Sequence, residues 1–480
     1  MNRRMIFYTL GKLLIALSAL LVLPLAVSVY YKESCTLAFL ITAAISLVMG
    51  LLLSKLLKPA SHVIYAREGF AIVALVWLSM SAIGALPFVI SGEIPSFVDA
   101  FFETVSGFTT TGASILRDVE SMSHGLLFWR SFTHWIGGMG VLVFVMALLP
   151  NISDRSIHIL RAEVPGPIVG KLVPRIKDTA KILYIIYIVL TLVEVVFLLV
   201  GGMPVFDSFV HAFGTAGTGG FGVKSDSITG YSPYLQWVIA IFMLLFGINF
   251  NLYYMLLIRK FRYVFKSGEL WCYIGFVAVS ITAICVNIYP IYDNFAEVLR
   301  QSAFQVSSII TTTGYATTDF NLWPDFSKAI LFVLMLVGAC AGSTGGGLKV
   351  SRVVLIFKVI GREIRRLIHP RSVSRVKFEG KTVDEGTLDA VTTYFAVYIA
   401  CLLGTFLVVS LEPFGLETNL SATVACFNNI GPGFAGVGPA SSYADYSVLS
   451  KITLSIAMLL GRLEIYPLLI VFIPSFWKKD

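Results

Sequence analysis

The sequence predicts an all-α, polytopic membrane protein, and three observations carry the prediction. Of 480 residues, 57% are hydrophobic and only 13% charged, about half the charged share of soluble domains. Apolar runs near the length of a bilayer crossing recur from one end to the other. The basic residues fall mostly on one side when the intervening segments are assigned alternately. The fold class expected is ten transmembrane segments plus four shorter re-entrant half-helices.

The runs are Phe7–Tyr30, Leu37–Leu57, Phe70–Ile90, Leu126–Leu149, Ile182–Val200, Leu235–Ile258, Leu270–Ile288, Ala390–Leu411 and Ile452–Ile473. Each approaches the ~20 residues that cross ~30 Å of hydrocarbon as a helix. Arg3 and Arg4 precede the first run as in a secretory signal. That run is long for a signal core and a second follows it closely, so it reads as a retained span. Starting from a cytoplasmic N-terminus, only Lys32, Arg117, Arg130, Lys224, Arg300, Lys328, Lys451 and Arg462 of the 36 Lys and Arg fall outside. Inner clusters at Arg155–Lys181, Arg259–Lys266 and Lys349–Lys381 fix the orientation, with both termini cytoplasmic. The net charge of +8 is then a topology signal and implies no nucleic-acid partner. The outer segments hold Asp99, Asp118, Glu120, Asp207, Asp226, Asp293, Glu297, Asp319 and Asp325, an acidic mouth that would concentrate cations. The six cysteines are scattered without C-x-x-C and read as small packing residues.

The outer segments repeat one sentence four times. Between two spans lies "SFVDAFFETVSGFTTTGAS", Ser96 to Ser114. Ser96 and Asp99 make a capping pattern, a semi-apolar stretch of about three turns follows, and a Thr/Gly run ends it. It is too short to span and reads as a half-helix that dips in and returns as extended chain. Asp207–Gly220, Asn294–Tyr315 and Glu417–Gly433 repeat the pattern, the last with most divergence. The final glycines, Gly112, Gly220, Gly314 and Gly431, lie 108, 94 and 117 residues apart.

Within the second copy, Gly217, Gly219 and Gly222 spell G-x-G-x-x-G. A dinucleotide loop needs a strand before it, and here a membrane half-helix precedes it. The glycines serve a backbone that bends at membrane depth. Irregular chain at that depth must be buried or line water, and four such loops around an axis can turn carbonyl oxygens inward to replace the hydration shell of a monovalent cation. Thr hydroxyls can tie each loop to its half-helix. No acidic ring occurs in the loop ends, which argues against a divalent-cation filter.

With "TTTGA", "TAGTGGFG", "ITTTGY" and "NNIGPGF" in register, the whole chain resembles the Trk/Ktr/HKT superfamily of potassium transporters, within it the bacterial TrkH branch. The resemblance implies two extra N-terminal spans (1–60) and four span–pore loop–span repeats, at 61–155, 156–262, 263–368 and 369–480. It implies a K⁺ selectivity filter at Thr110, Thr111, Gly112, Thr218, Gly219, Gly220, Thr312, Thr313, Gly314, Asn429, Ile430 and Gly431. The ion would sit at Thr111, Gly112, Gly219, Gly220, Thr313, Gly314, Ile430 and Gly431. It also implies a homodimer in the bacterial inner membrane, among lipids, gated by a cytosolic, TrkA-like, NAD/ATP-binding ring. Gly217 and Gly219, and Asn428 to Ile430, depart from the Thr pattern and blur which oxygens face the ion.

The second span of the third repeat is irregular. Ala329–Ala341 is apolar for only 13 residues, about 20 Å of helix, before "GSTGGGLK" and an apolar helix resuming through Ile360. Leu348 stands where a phosphate loop would carry Lys, and no strand precedes it. A break on the cytoplasmic side of the filter suits a mobile intramembrane gate, built from Gly342, Ser343, Thr344, Gly345, Gly346, Gly347 and Lys349; a passive kink is the alternative. Arg462, about eleven residues into the last span, is a functional candidate by its placement. It could pair with an outer-facing carbonyl, with Glu464 or with the gate loop, and the resemblance implies a pore-facing arginine. Glu194 reads as structural, and His134 and His211 as packing residues without metal spacing. Gly137, Gly138 and Gly140 allow close helix contact.

Function therefore reads as K⁺ uptake through a central pore. An ion-coupled H⁺ or Na⁺ symporter is the alternative, though four parallel repeats suit an axial pore better than two inverted halves. A nucleotide-using membrane enzyme lacks the lysine, the strands and the paired carboxylates it would need.

Overall fold

A chain in hydrocarbon must satisfy its backbone internally, so the lengths of its helices decide what can cross. The computed structural model describes residues 2–59, 65–140, 176–371 and 374–478. Six helical stretches are long and apolar enough to cross: Arg3–Tyr30, Thr36–Leu56, Arg67–Ser91, Lys181–Val200, Gly268–Ile291 and Glu385–Val409.

The first two stretches, α1 (Arg3–Leu20) with α2 (Val22–Tyr30) and α3 (Thr36–Leu56), pack as a hairpin. Thereafter a long helix, a short helix and a second short helix follow one another four times. First come α4 (Ala66–Gly84) with α5 (Leu86–Ser91), then α6 (Phe97–Phe108) and α7 (His124–Gly138). The second set is α8 (Ile176–Val200), α9 (Val205–Gly217) and α10 (Pro233–Phe246), followed by α11 (Phe250–Leu257) and α12 (Phe261–Phe265). The third is α13 (Gly268–Ile288), α14 (Phe295–Ile310) and α15 (Asp325–Val337), then α16 (Val350–Ile368) and a small antiparallel ladder of β1 (Lys377–Phe378) and β2 (Lys381–Thr382). The fourth is α17 (Glu385–Val409), α18 (Leu416–Phe427) and α19 (Val448–Arg462), with α20 (Tyr466–Val471) after it.

Local chemistry sets the short helices. Ser96 caps α6, its hydroxyl accepting from the Asp99 N–H, and Asn294 caps α14 by accepting from the Ala296 N–H. Threonine and glycine then stop propagation within 12 to 16 residues, too few for a crossing. Their packing is cyclic: α7 lies on α9, α10 on α14, α15 on α18, and α19 returns to α6. Lys451 on α19 donates to Asp99 on α6 at 2.6 Å, fastening the first set to the fourth. The centre of this cycle is polar and buried, with Thr109–Thr111, Thr218, Thr311–Thr313, Asn428 and Asn429 fully enclosed. The outside is apolar: Leu37, Val200, Val279, Val286 and Leu411 stand exposed. That inversion suits a bilayer around a polar centre.

Three expected spans differ. Leu235–Ile258 is not one helix; α10 and α11 meet at 89°. Asn249 turns the chain by accepting from the Asn251 N–H, and the Gly247 carbonyl accepts from the Cys340 N–H. Ile452–Ile473 breaks after Arg462, where Glu464 and Ile465 take φ of 58° and 64°. The third-set break begins at Gly338, φ 72°, earlier than Gly342. The helix after it is amphipathic through Ile368, with Leu355 buried while Phe357, Arg365 and Arg366 face out. The later part of the Leu126–Leu149 run and most of the Arg155–Lys181 cluster lie outside the described residues.

The α1–α3 hairpin crosses at Gly11 and Gly50, where a Cβ on either would lie 2.8 Å from the other's carbonyl oxygen. Gly50→Leu is expected to destabilise the hairpin by ~1–3 kcal/mol, read as a lower thermal midpoint in detergent. An unchanged midpoint would mean the two helices do not meet there.

Candidate functional site

Each short first helix ends in the same backbone figure. Thr110, Thr218, Thr312 and Asn429 adopt left-handed φ of 55°, 56°, 59° and 57°. Two residues later Gly112, Gly220, Gly314 and Gly431 adopt φ of 79°, 77°, 85° and 94°. Left-handed backbone costs a non-glycine residue ~1–2 kcal/mol, and such strain gathers where function over-determines the chain. Hydroxyls hold the figure. Thr109 Oγ1 donates to Val105 O and Thr311 Oγ1 to Ser307 O, and each hydroxyl also meets the next threonine but one (Thr111, Thr313) at 2.8 Å.

The four figures form one ring. A Cβ on Gly112 would lie 2.0 Å from Gly219 O; on Gly220, 2.2 Å from Thr313 O; on Gly314, 2.1 Å from Ile430 O; on Gly431, 2.6 Å from Thr111 O. Each glycine thus abuts the carbonyl that precedes the next glycine, and the fourth closes on the first. No side chain fits at any of the four positions. On one side, a single cavity of about 470 Å³ touches all four glycines.

That cavity is not lined by the expected acids. Its charged lining is Arg117, Arg130, Lys224 and Asp445. Arg117 pairs with Asp445 across the mouth. Arg130 is buried against Glu103 at 2.8 Å and lies 4.0 Å from the centre of the Phe221 ring. Glu103 also accepts from the Ile115 N–H at 2.9 Å, so the pair props the chain leaving the first loop. Of the expected acids, Asp99 is taken up by Lys451 and Asp207 accepts from the Tyr231 hydroxyl at 2.8 Å.

Across the ring from that cavity lies the segment Gly338–Lys349. The Gly346 N–H donates to Thr312 Oγ1 at 2.6 Å. A Cβ on Gly345 would lie 2.9 Å from Thr311 O, and one on Gly346 2.5 Å from Asn428 O. Two cations hold the segment. Arg462 donates to Thr344 O at 2.8 Å and also to the carbonyls of Gly137 and Gly138, while Lys349 Nζ donates to Gly345 O. Arg462 thus meets both the loop and the carbonyls that end α7, while Glu464 pairs with Arg352.

A closed ring of backbone oxygens in an apolar shell belongs to ion transport rather than to nucleotide chemistry. A family model described as "TrkH: Cation transport protein" matches residues 36–479. The chain belongs to the TrkH family. It is similar to the Trk system potassium uptake protein TrkH of Salmonella typhimurium strain LT2, 38% identical with all of both chains covered. It is 35% identical to the Trk system potassium uptake protein TrkG of Escherichia coli K12, over 99% of each. The crystal structure of the potassium transporter TrkH from Vibrio parahaemolyticus superposes with a TM-score of 0.89, at 32% identity over the whole of both chains.

The residues named from the sequence as filter all lie in the four loop ends that form the ring. Of the named gate residues, Gly345 and Gly346 reach it, Thr344 and Lys349 are tied to them, and Gly342 and Ser343 meet Asn249, Phe250 and Cys340 instead. His134 Nδ1 bonds Gly107 O at 2.7 Å and its ring fills the space beside Gly219; His211 Nδ1 bonds Asp207 O at 2.8 Å. Glu194 is buried in α8. Gly137 and Gly138 allow the approach expected of them, a Cβ on Gly137 falling 1.8 Å from Phe108 O. Sequence reading missed Gly338, the bend at Gly247–Asn249, Tyr443, whose hydroxyl donates to Gly431 O at 2.7 Å, and the Arg130–Glu103 pair. A charge within each of two adjacent apolar stretches was the signal for that pair.

Removing one partner of a buried pair costs ~3–5 kcal/mol, while replacing both by apolar groups is often tolerated. Glu103→Leu should therefore lower the thermal midpoint sharply, and the double change Glu103→Leu with Arg130→Met should restore most of it. Two additive losses would show that the pair does not act as one unit.

Proposed function

We propose that this chain takes up potassium through the ring. Carbonyl oxygens of Thr111, Gly219, Thr313 and Ile430, with those of Gly112, Gly220, Gly314 and Gly431, replace the ion's hydration shell as it passes. The carrying observation is the closed contact of each glycine with the next loop's carbonyl, together with membership in a family whose named relatives are potassium uptake proteins. The four short helices aim their C-terminal ends at the ring, and each such end has about half a negative charge. Cations are thereby favoured without any carboxylate, a weak-field arrangement suited to a large monovalent ion.

In this reading the chain has ten spans in a bacterial inner membrane with cytoplasmic termini, and the units 61–155, 156–262, 263–368 and 369–480 surround one pore behind the hairpin 1–60. The segment Gly342–Gly347 is the gate. Lys349 and Arg462 hold its carbonyls and set two positive charges in the ion's path, so opening requires those hydrogen bonds to break. A homodimer, and a cytosolic NAD- or ATP-binding ring that supplies the work of opening, complete the reading; the exposed basic residues Arg365, Arg366, Arg371, Arg375, Lys377 and Lys381 offer the docking charge.

Two measurements in vesicles test it. Gly314→Ser places a side chain against Ile430 O on a backbone at φ 85°. The preference of flux for K⁺ over Na⁺ should fall about tenfold, a ~1.4 kcal/mol loss of discrimination. Unchanged preference would remove the ring from the ion's path. Arg462→Gln frees the Thr344 carbonyl and should raise K⁺ and Na⁺ flux together at constant ratio; flux no higher than that of the parent protein would count against the gate.

A further inference from the structure

We propose that the segment Arg259–Lys266 binds anionic phospholipid headgroups at the inner leaflet, and that this contact holds the Gly342 loop in place. The proposal rests on the orientation of the transport reading, which sets the segment on the cytoplasmic side. α10 is 14 residues, about 21 Å of helix and short of a full crossing, and the 89° bend after it turns α11 aside from that direction, toward the bilayer plane. Leu257, Phe261, Tyr263 and Phe265 each expose about half of their surface or more. Between them stand Arg259, Lys260 and Arg262, with Lys266 just after Phe265, all exposed. None of the four enters an ion pair among the described residues.

Alternating aromatic and basic side chains immediately past a span match a leaflet boundary, where rings sit among headgroups and cations meet their phosphates. Continuity decides for lipid over a soluble partner. Trp271 at the start of α13 is exposed, and its Nε1 donates to Phe265 O at 2.9 Å. From there the exposed face runs on through Ile274, Val279 and Val286. The aromatic strip is thus the inner end of a surface that already faces hydrocarbon.

The same segment reaches the gate. The Phe250 N–H, first in α11, donates to Gly342 O at 2.9 Å, and the Cys340 N–H donates to Gly247 O at 3.1 Å. A Cβ on Gly342 would lie 2.9 Å from the Asn249 side-chain oxygen. Headgroups that hold α11 and α12 flat therefore hold the carbonyl at which the loop begins, and favour the loop position beneath the ring.

The test uses the full-length protein in vesicles of phosphatidylcholine alone or with phosphatidylglycerol, brominated in one lipid or the other. Trp271 emission is isolated by subtracting a Trp271→Phe control. Brominated phosphatidylglycerol should quench it about twofold or more beyond brominated phosphatidylcholine at equal content, since each basic residue near an anionic surface changes local affinity about fivefold. Phosphatidylglycerol should also lower K⁺ flux. In the variant Arg259→Gln, Lys260→Gln, Arg262→Gln and Lys266→Gln, both effects should vanish while flux in phosphatidylcholine stays at the parent level. Equal quenching by both lipids overturns the proposal, as does a flux effect that survives in the variant. If quenching is equal and the variant instead loses binding of the cytosolic ring, the surface docks protein and the proposal falls. Flux in phosphatidylcholine alone reports on the transport reading, so the two can fail separately.

Discussion

Non-helical backbone cannot be left bare in hydrocarbon, and this constraint organises the molecule. Four short helices deliver four stretches of irregular chain to one ring, where none could be stable alone. Each is sheltered by the next, glycine against carbonyl, in a cycle that returns to its start. The ring is therefore an all-or-none assembly. Its strained threonines and Asn429 are held because every neighbour holds them, and the Lys451–Asp99 bond closes the circle where the chain's continuity cannot.

The second short helices follow from the same constraint. All stop after 13 to 15 residues, where the C-terminal carbonyls of the first helices press in. Gly137 meets Phe108 O and Gly461 meets Phe427 O at distances no Cβ could occupy. Beneath those stops, freed carbonyls need donors that hydrocarbon does not supply. Arg462 and Lys349 supply them for Thr344 and Gly345. A charge that would be costly in hydrocarbon is here a partner for exposed backbone.

How much could be read from the chain follows from where the determinants lie. The short first helices were legible because Ser96, Asn294 and the Thr/Gly endings are local signals, repeated four times. The ring was legible because its four glycines each end a segment too short to cross, and such segments shelter their backbone best against one another. The breaks in α10 and α19 were not. "LFGIN" is apolar and could continue a helix; the bend is fixed by Gly247 O accepting from Cys340, far along the chain. Ile465, β-branched at φ 64°, would never be assigned there from propensity. The Arg352–Glu464 pair, separated by 112 residues, likewise removed Glu464 from Arg462's reach without a trace in either's neighbourhood.

On the proposed reading the cavity beside the ring is the ion's outer mouth, and its lining bears on how the ion is attracted. Acidic residues counted along the sequence suggested a mouth that attracts cations by its carboxylates, yet the lining is Arg117, Arg130, Lys224 and Asp445. On the proposed reading, side chains there do not recruit the ion. Attraction has to come from what stands closer, the ring's carbonyl dipoles and the four helix ends behind it, which are neutral in sum but fixed in direction. Fixed dipoles favour a cation only where it has shed its water and can approach them, so on the proposed reading recognition and dehydration are one event at the ring. Two of the three basic residues at the mouth are then compatible with cation entry, because Arg130 is committed to Glu103 and Arg117 to Asp445, while Lys224 rests over the Tyr231 ring at 4.8 Å.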